Sequence, residues 1–453
     1  MEETPRAPGY VRWIAGTLED AGYETWTVGG AIRNTLLGLP SGDWDLTTRA
    51  PPPVVRKLFP RTVPIGVEHG TVGVLTRQGL LLEVTTFRRD VETTGRHAVV
   101  EFADTLDEDL ARRDFTINAI AWHPLREEFR DPFRGRRDLA AGLLRTVGDA
   151  RERFSEDYLR VLRGLRFSGR FGFRIRTETW KALCEACSHL DVLSPERVRE
   201  ELMKTLSEAP RPSTVLALYA ASGVLDAVYP EVARAGERVR ASTGENHWIH
   251  SLLLTDLLPA HRPLLRLAAL LEGATPAPAG GKGGEAADEG SREGAPEAAA
   301  LLFRLRFSNA EVATVTGLLE MGLEPPLALE EGSETRRWLH RAGRERLPDL
   351  ARIWLAKTRL DALRGGPPTG DVLASIRRLR EELRRGHPLQ QRELALSGRD
   401  LISMGLKPGP RFGEILSELM DRVLAEPRLN ENETLRGLVQ EMVGRAGEEG
   451  GEA

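Results

Sequence analysis

Apolar positions over Val11–Glu19 are spaced for one face of a helix. The period then changes: Tyr23–Val28 reads as a strand ending on Gly29-Gly30, and Ala31–Leu37 returns to helical spacing. Thr71–Thr76 and Leu80–Phe87 alternate or run apolar on either side of Gln78-Gly79, a hairpin pattern. Beyond about residue 150 strand patterns vanish and helical periodicity dominates. Ala274–Glu297 interrupts it with Ala, Pro, Gly, Glu and little else. Such a composition buries too little apolar surface to offset its ordering entropy, so a disordered insertion is expected there. Helices are expected again from Ala298 to about Gly444, before an acidic, Gly-rich tail that frays.

At 453 residues the chain should hold three or four packed regions of roughly 100–200 residues each. Its 63 basic and 67 acidic residues leave a net charge of -4, which argues against a simple polycationic nucleic-acid binder. Only Lys57, Lys181, Lys204, Lys282, Lys357 and Lys407 are lysines; the other basic residues are arginines, whose planar fork suits phosphates and base edges. The basic charge is also local: residues 151–176 hold eight arginines against Glu152, Glu156 and Asp157. Cys184 and Cys187 are too few for a disulfide framework, and their C-x-x-C spacing lies in a helical pattern without a second ligand pair. The acidic start of the chain is not a signal peptide, and no apolar run approaches the ~20 residues of a membrane span. A cytoplasmic protein without a membrane partner is expected.

Four segments carry candidate chemistry. In the first, Gly29-Gly30 between strand and helix lets a ligand approach the backbone, and Arg33 one turn on can supply a charge to a triphosphate. Asp43 and Asp45 follow; in a strand, residues two apart share a face, so the pair can hold Mg²⁺ for in-line displacement at phosphorus. The plainer reading is a polar turn. In the second segment Glu83 sits in an otherwise apolar strand, either as a third metal ligand or general base, or as an edge residue facing water. The third is Asp109-Leu-Ala-Arg112-Arg113-Asp114-Phe115-Thr116-Ile117-Asn118. Here Asp114 and Asn118 can bind ribose hydroxyls and the arginines phosphate, or the stretch is a salt-bridged helix start. In the fourth, Asp157 and Arg160 are three apart on a helical pattern and can together read a base edge. Arg163 and Arg166 extend that row, but nine residues make about 2.5 turns, so all four are not expected to face one base.

Taken in order, these motifs resemble the class II tRNA nucleotidyltransferase/poly(A) polymerase family, in particular its bacterial CCA-adding branch. Gly29-Gly30-x-x-Arg33 with Asp43-x-Asp45 is similar to the shared signature, Arg112–Ala119 to the second motif, and Asp131-Pro132-Phe133 with Gly135 and Asp138 to the hinge. Glu156-Asp157-x-x-Arg160 resembles the nucleotide-selecting motif, Ser194-Pro195-Glu196-Arg197 the one after it, and Leu396–Leu401 with Lys407–Pro410 a tRNA-contacting tail.

The resemblance implies an α+β fold: a nucleotidyltransferase head with a small mixed sheet (1–150), then all-helical neck (151–230), body (231–350) and tail (351–453). It implies Mg²⁺-dependent addition of CCA to tRNA from CTP and ATP without a template, and no obligate protein partner. Near alternatives are a CC-adding or A-adding specialist, or a poly(A) polymerase. A flexible loop expected at Arg89–Arg96, and the absence of Arg and Lys from Pro64–Val72, favour full CCA addition. Two departures stand out. Asn34 replaces the family's usual Asp. Glu272-Gly273 stands where an HD phosphohydrolase module, heralded by His247 and His250, would carry its metal-binding His-Asp pair; a degenerate, inactive region is expected.

Overall fold

Strand β1 (Thr25–Val28) follows helix α1 (Gly9–Asp20) and is buried along its whole length. Its β-branched and aromatic residues, T-W-T-V, suit a strand covered on both faces. In the computed structural model it is a central strand of a sheet. Residues 5–66, 70–93, 98–233, 246–272, 286–327, 329–330, 332–363 and 370–449 are described. By its contacts the chain divides into two units, Met1–Arg234 and Ala235–Ala453.

In the first unit, β1 leads through Gly29 into α2 (Gly30–Leu36), and β2 (Asp45–Thr48) returns antiparallel to β1. After α3 (Pro52–Leu58) come β3 (Thr62–Pro64), β4 (Thr71–Leu75) and β5 (Leu81–Thr86). The expected hairpin is β4–β5, turning at Gly79 with φ 81°. Two further strands form a separate ribbon, β6 (Arg88–Thr93) and β7 (Ala98–Phe102). The flexible loop expected at Arg89–Arg96 is therefore one arm of a paired ribbon up to Thr93, where backbone ladder bonds replace loop freedom. Residues 94–97 lie outside the described residues, as do residues 67–69 of the stretch Pro64–Val72.

Helix α4 (Leu106–Ala111) opens on a capping box between Thr105 and Glu108. With β8 (Ala121–Trp122) and β9 (Phe129–Arg130) the sheet order is β3-β4-β5-β2-β1-β8-β9. The β2/β5 pair is parallel and the others antiparallel, so the sheet is mixed. Trp26, Val28, Phe87, Leu106, Leu110 and Val147 form a core against it.

Beyond the sheet come α5 (Gly135–Ala140), β10 (Leu143–Leu144), α6 (Ala150–Glu156) and α7 (Leu159–Phe171). Among the described residues one strand persists past residue 150: β11 (Arg174–Ile175) pairs parallel with β10. Two residues are too short for a detectable alternation. Helices α8 (Thr177–Ala186), α9 (Pro195–Glu208), α10 (Pro212–Ser222), α11 (Val224–Val228) and α12 (Pro230–Ala233) complete the unit. Cys187 is buried against this helical layer, which pushes its thiol up to about 11 and leaves it inert as a nucleophile at neutral pH.

The described part of the second unit is helical: α13 (His247–Leu257), α14 (Pro263–Glu272), α15 (Ala286–Arg304), α16 (Asn309–Glu320), α17 (Ser333–Ala342), α18 (Leu347–Ala362), α19 (Gly370–Arg385), α20 (Gly398–Ser403), α21 (Pro410–Ala425) and α22 (Asn432–Glu449). Two sequence expectations change. Residues 286–297 of the expected insertion are helical, because Ala and Glu are strong helix formers and Ala295 and Ala298 reach a buried seam. The expected fraying tail is helical to Glu449. Residues 273–285 lie outside the described residues. His250 is buried, and Glu272 accepts a 2.6 Å bond from the buried ammonium of Lys357, which also reaches Glu324.

Candidate active site

Gly29 makes the turn from β1 into α2 with φ 76° and ψ -132°, a conformation L side chains rarely adopt. A Cβ there would stand 3.5 Å from Arg113 Nη1 and 3.7 Å from Asp45 Oδ2, so the bare backbone is the floor between a cation and a carboxylate. Helix α2 has only two turns and contributes its N–H groups rather than much of a dipole.

Asp45 opens β2, whereas Asp43 lies in the loop before it; the two are not on one strand face as the spacing predicts. They remain electrostatic neighbours. The protein crowded around Asp45 pushes its carboxyl up to about 6, Glu83 and Asp43 add to the rise, and Arg113 opposes it. Solvent still reaches the residue, so this is partial desolvation at the edge of a cleft, not burial. Glu83 on β5 is exposed and points to water along an alternating strand, close enough for its charge to be felt at Asp45. Among the described residues no three His, Cys, Asp or Glu side chains form a ready-made metal cage. That donor set fits Mg²⁺, which prefers one or two carboxylates and completes its shell with waters and substrate phosphates.

Helix α4 supplies the next layer. Asp109 is fully buried and takes Arg112 on one oxygen and Arg113 on the other, each at 3.1 Å, with Thr47 of β2 at 3.4 Å. Burial works to raise its carboxyl, but Arg113 and Arg112 outweigh it and hold the group below the usual range. The salt-bridged helix start and the arginine cluster are thus one structure. Its organiser is a carboxylate that the sequence displays without marking.

Asp114 and Asn118 are buried and committed to protein partners rather than free for ribose. Asp114 accepts from Asn118 at 2.9 Å and from Arg163 at 2.8 and 2.7 Å. Burial opposes ionisation, yet Arg163 and the hydrogen bonds hold Asp114 at about 2. Arg33, expected as a free arm for phosphate, is buried: Nη1 donates to Asn118 at 2.6 Å, and Nε and Nη2 to Asn34 Oδ1 at 3.2 and 2.9 Å.

Asp157 is not helical. It has extended backbone between α6 and α7, accepts from Arg197 at 2.7 Å and caps Leu159 N at 3.1 Å. Arg160 pairs with Glu156 and donates to the carbonyls of Arg153 and Arg112. The Arg160 N–H donates to the Asp157 carbonyl at 3.0 Å, while the two side chains are held by different partners, Arg197 and Glu156. Arg166 is buried on Glu201 at 2.7 Å. Because steps of three residues rotate by only about 60° each, Arg160, Arg163 and Arg166 stay on one side of α7 rather than diverging.

A cavity of about 410 Å³ gathers these groups. Gly29, Gly30, Arg33, Asp45, Arg112, Arg113, Asp114, Asn118, Asp157, Arg160, Arg163 and Arg166 line it, while Asp43 and Glu83 lie outside its wall. Phe167, Arg170, Lys204 and Glu208 line it too. Arg170 continues the arginine face of α7 and was legible from it; Lys204 and Glu208 come from α9, and only folding brings them in. A larger cavity of about 570 Å³ lies by Phe133, Arg145 and Arg176, with no link to the Asp45 carboxylate, so the smaller cavity is the candidate site.

A mixed sheet that sets paired carboxylates beside a glycine turn, facing an arginine-rich helix, is the architecture of a nucleotidyltransferase. Residues 25–145 match the Poly A polymerase head domain, and residues 294–439 the tRNA nucleotidyltransferase domain 2. The chain belongs to the CCA-adding enzyme family. It is 31% identical to the CCA-adding enzyme of Bacillus cytotoxicus over 94% of this chain and 97% of that protein. It is 44% identical to the one of Anoxybacillus flavithermus over 50% of this chain; that match, like several others, spans about half the relative's length (56%). The crystal structure of the Bacillus stearothermophilus CCA-adding enzyme in complex with CTP superposes with a TM-score of 0.72 at 29% identity, over 97% of this chain and 98% of that one.

Proposed function

We propose that the protein adds or repairs the 3′-terminal CCA of tRNA, using CTP and ATP without a nucleic-acid template, in the cytoplasm. The observation that carries this reading is the single cavity in which the glycine turn and Asp45 face Asp157 and Arg160, so one nucleotide can meet phosphate-binding and base-reading groups together. The similar Bacillus stearothermophilus enzyme was crystallised in complex with CTP, which supports CTP as a substrate of this chain.

In this reading the tRNA 3′-hydroxyl gives up its proton to solvent as its oxygen bonds to the α-phosphorus, the bond from that phosphorus to the bridging oxygen breaks, and pyrophosphate leaves with the electron pair. Asp43 and Asp45 would hold Mg²⁺, which neutralises charge on the triphosphate and leaving group, with Glu83 adding negative charge beside them. Arg113 stands next to the Gly29 turn to face phosphate oxygens. Asp157 and Arg160, each pinned by a protein partner, present a fixed acceptor and donor to the base, so the protein serves as the template. Head, neck, body and tail divide near 150, 230 and 350; the end of the large sheet at β9 and the unit boundary after Arg234 support the first two divisions.

The test supplies purified protein and Mg²⁺ with tRNA lacking its CCA end, and CTP alone, ATP alone, then both. Growth by C, C and A is expected. A halt after CC, or single A addition to a CC end only, identifies a specialist, and long A tails a poly(A) polymerase.

A further inference from the structure

Arg33 lies where the two halves of the cavity meet. Its guanidinium is beneath the glycine turn: a Cβ on Gly30 would be 3.6 Å from its Nη2. It also reaches α7, with Cζ 5.0 Å from the Phe167 ring centroid and 4.9 Å from that of Phe171. The two rings are stacked 12° from parallel and lie one and two turns beyond Arg163 on the helix that carries Arg160. Three of the five guanidinium N–H groups are spent on Asn34 and Asn118, and Asn118 passes the connection through Asp114 to Arg163. Both amide acceptors are neutral. The cation is therefore held by amide oxygens and aromatic faces, among Arg163, Arg166 and Arg170, with Asp114 as the compensating carboxylate.

Resting on the proposed function, we infer that Arg33 is a positioning residue that sets the separation between the phosphate-binding turn and the base-reading helix α7, and thereby the discrimination between CTP and ATP. A nucleotide that binds the turn and the reader at once samples that separation. An amine cannot reproduce the link, because it lacks both the fork that joins Asn34 to Asn118 and the flat face that lies on two rings.

The test measures kcat and KM for ATP and for CTP on tRNA ending in CC, with wild type, Arg33→Lys and Phe171→Leu, each checked for wild-type-like circular dichroism and cooperative melting. Wild type must first extend the tRNA; if it transfers no nucleotide, the proposed function fails and this inference falls with it. With an active wild type, Arg33→Lys is expected to lower the ratio of kcat/KM for ATP over CTP by about tenfold or more, mainly through kcat. Phe171→Leu should move the ratio the same way and keeps the test open if Arg33→Lys does not fold. An equal rise in KM for both nucleotides with discrimination intact would make Arg33 a triphosphate ligand and overturn the inference. Unchanged discrimination in both variants would overturn it as well.

Discussion

Asp109 has no direct place in the chemistry, yet it aims both arginines of the second motif and touches, through Thr47, the strand that carries Asp45. Asp109→Asn leaves two guanidinium groups facing an amide; breaking such a buried pair costs about 3 kcal/mol or more. Chemical denaturation should show that loss, and nucleotidyl transfer should fall by at least about tenfold. Asp43→Ala should abolish transfer while leaving tRNA affinity, measured by filter binding, nearly unchanged; full activity would overturn the metal assignment. Asp114 contributes one pH dependence of stability. Its folded pKa of about 2 lies below the ordinary 3.8, so its ionised form stabilises the fold above pH ~4, and that contribution is lost as pH falls through about 2. The size is about 2 kcal/mol. Unfolding free energies of wild type and Asp114→Asn should therefore differ at neutral pH and converge toward pH 2.

At the scale of elements, two glycines decide how α7 sits. A Cβ at Gly164 would come within 2.9 Å of the Phe115 ring, and one at Gly169 within 2.3 Å of Val215 Cγ2 and 3.0 Å of its backbone nitrogen. Gly169→Ala must push α7 away from α10, at a cost of about 1–3 kcal/mol. A lower melting temperature and weakened CTP binding by calorimetry are expected together, since α7 also carries Arg160 and Arg163. Most elements near the site were legible as patterns: β1 from its strand-forming residues ahead of Gly29-Gly30, the β4–β5 hairpin from alternation around Gly79, α7 from helical spacing. What the pattern misread is instructive. Asp157 looks helical by spacing but adopts extended backbone between two helices, where it caps the second. Residues 286–297 lack large apolar side chains, but alanine needs only a close neighbour to bury its methyl group.

At the scale of the whole molecule, the charge of -4 is an average over unlike regions. In the first unit, arginines of α7 gather at the cavity, several already paired with Asp114, Glu201 or Glu208. Affinity for tRNA should fall linearly with salt on a log–log plot, with a slope that counts the phosphates neutralised. A salt-independent affinity would place recognition elsewhere than on the RNA backbone. Among the described residues no helix is long and apolar enough to cross a membrane.

The strand–glycine–helix turn, the helical character beyond residue 150 and most of the cavity wall are legible in the sequence, because each depends on local backbone preference or on chemistry carried within a short motif; Lys204 and Glu208 are not. Which of those side chains are tied to protein partners follows only from the packing of the fold. Arg33, Asp114 and Asn118 carry the chemistry of ligand-binding residues, but burial obliges each to find partners in the protein, and those partners stand 49 and 85 positions away along the chain. Spacing reports which side chains share a face. It is silent on which distant carboxylate or amide will meet them there, since that pairing is set by how α2, α4 and α7 pack.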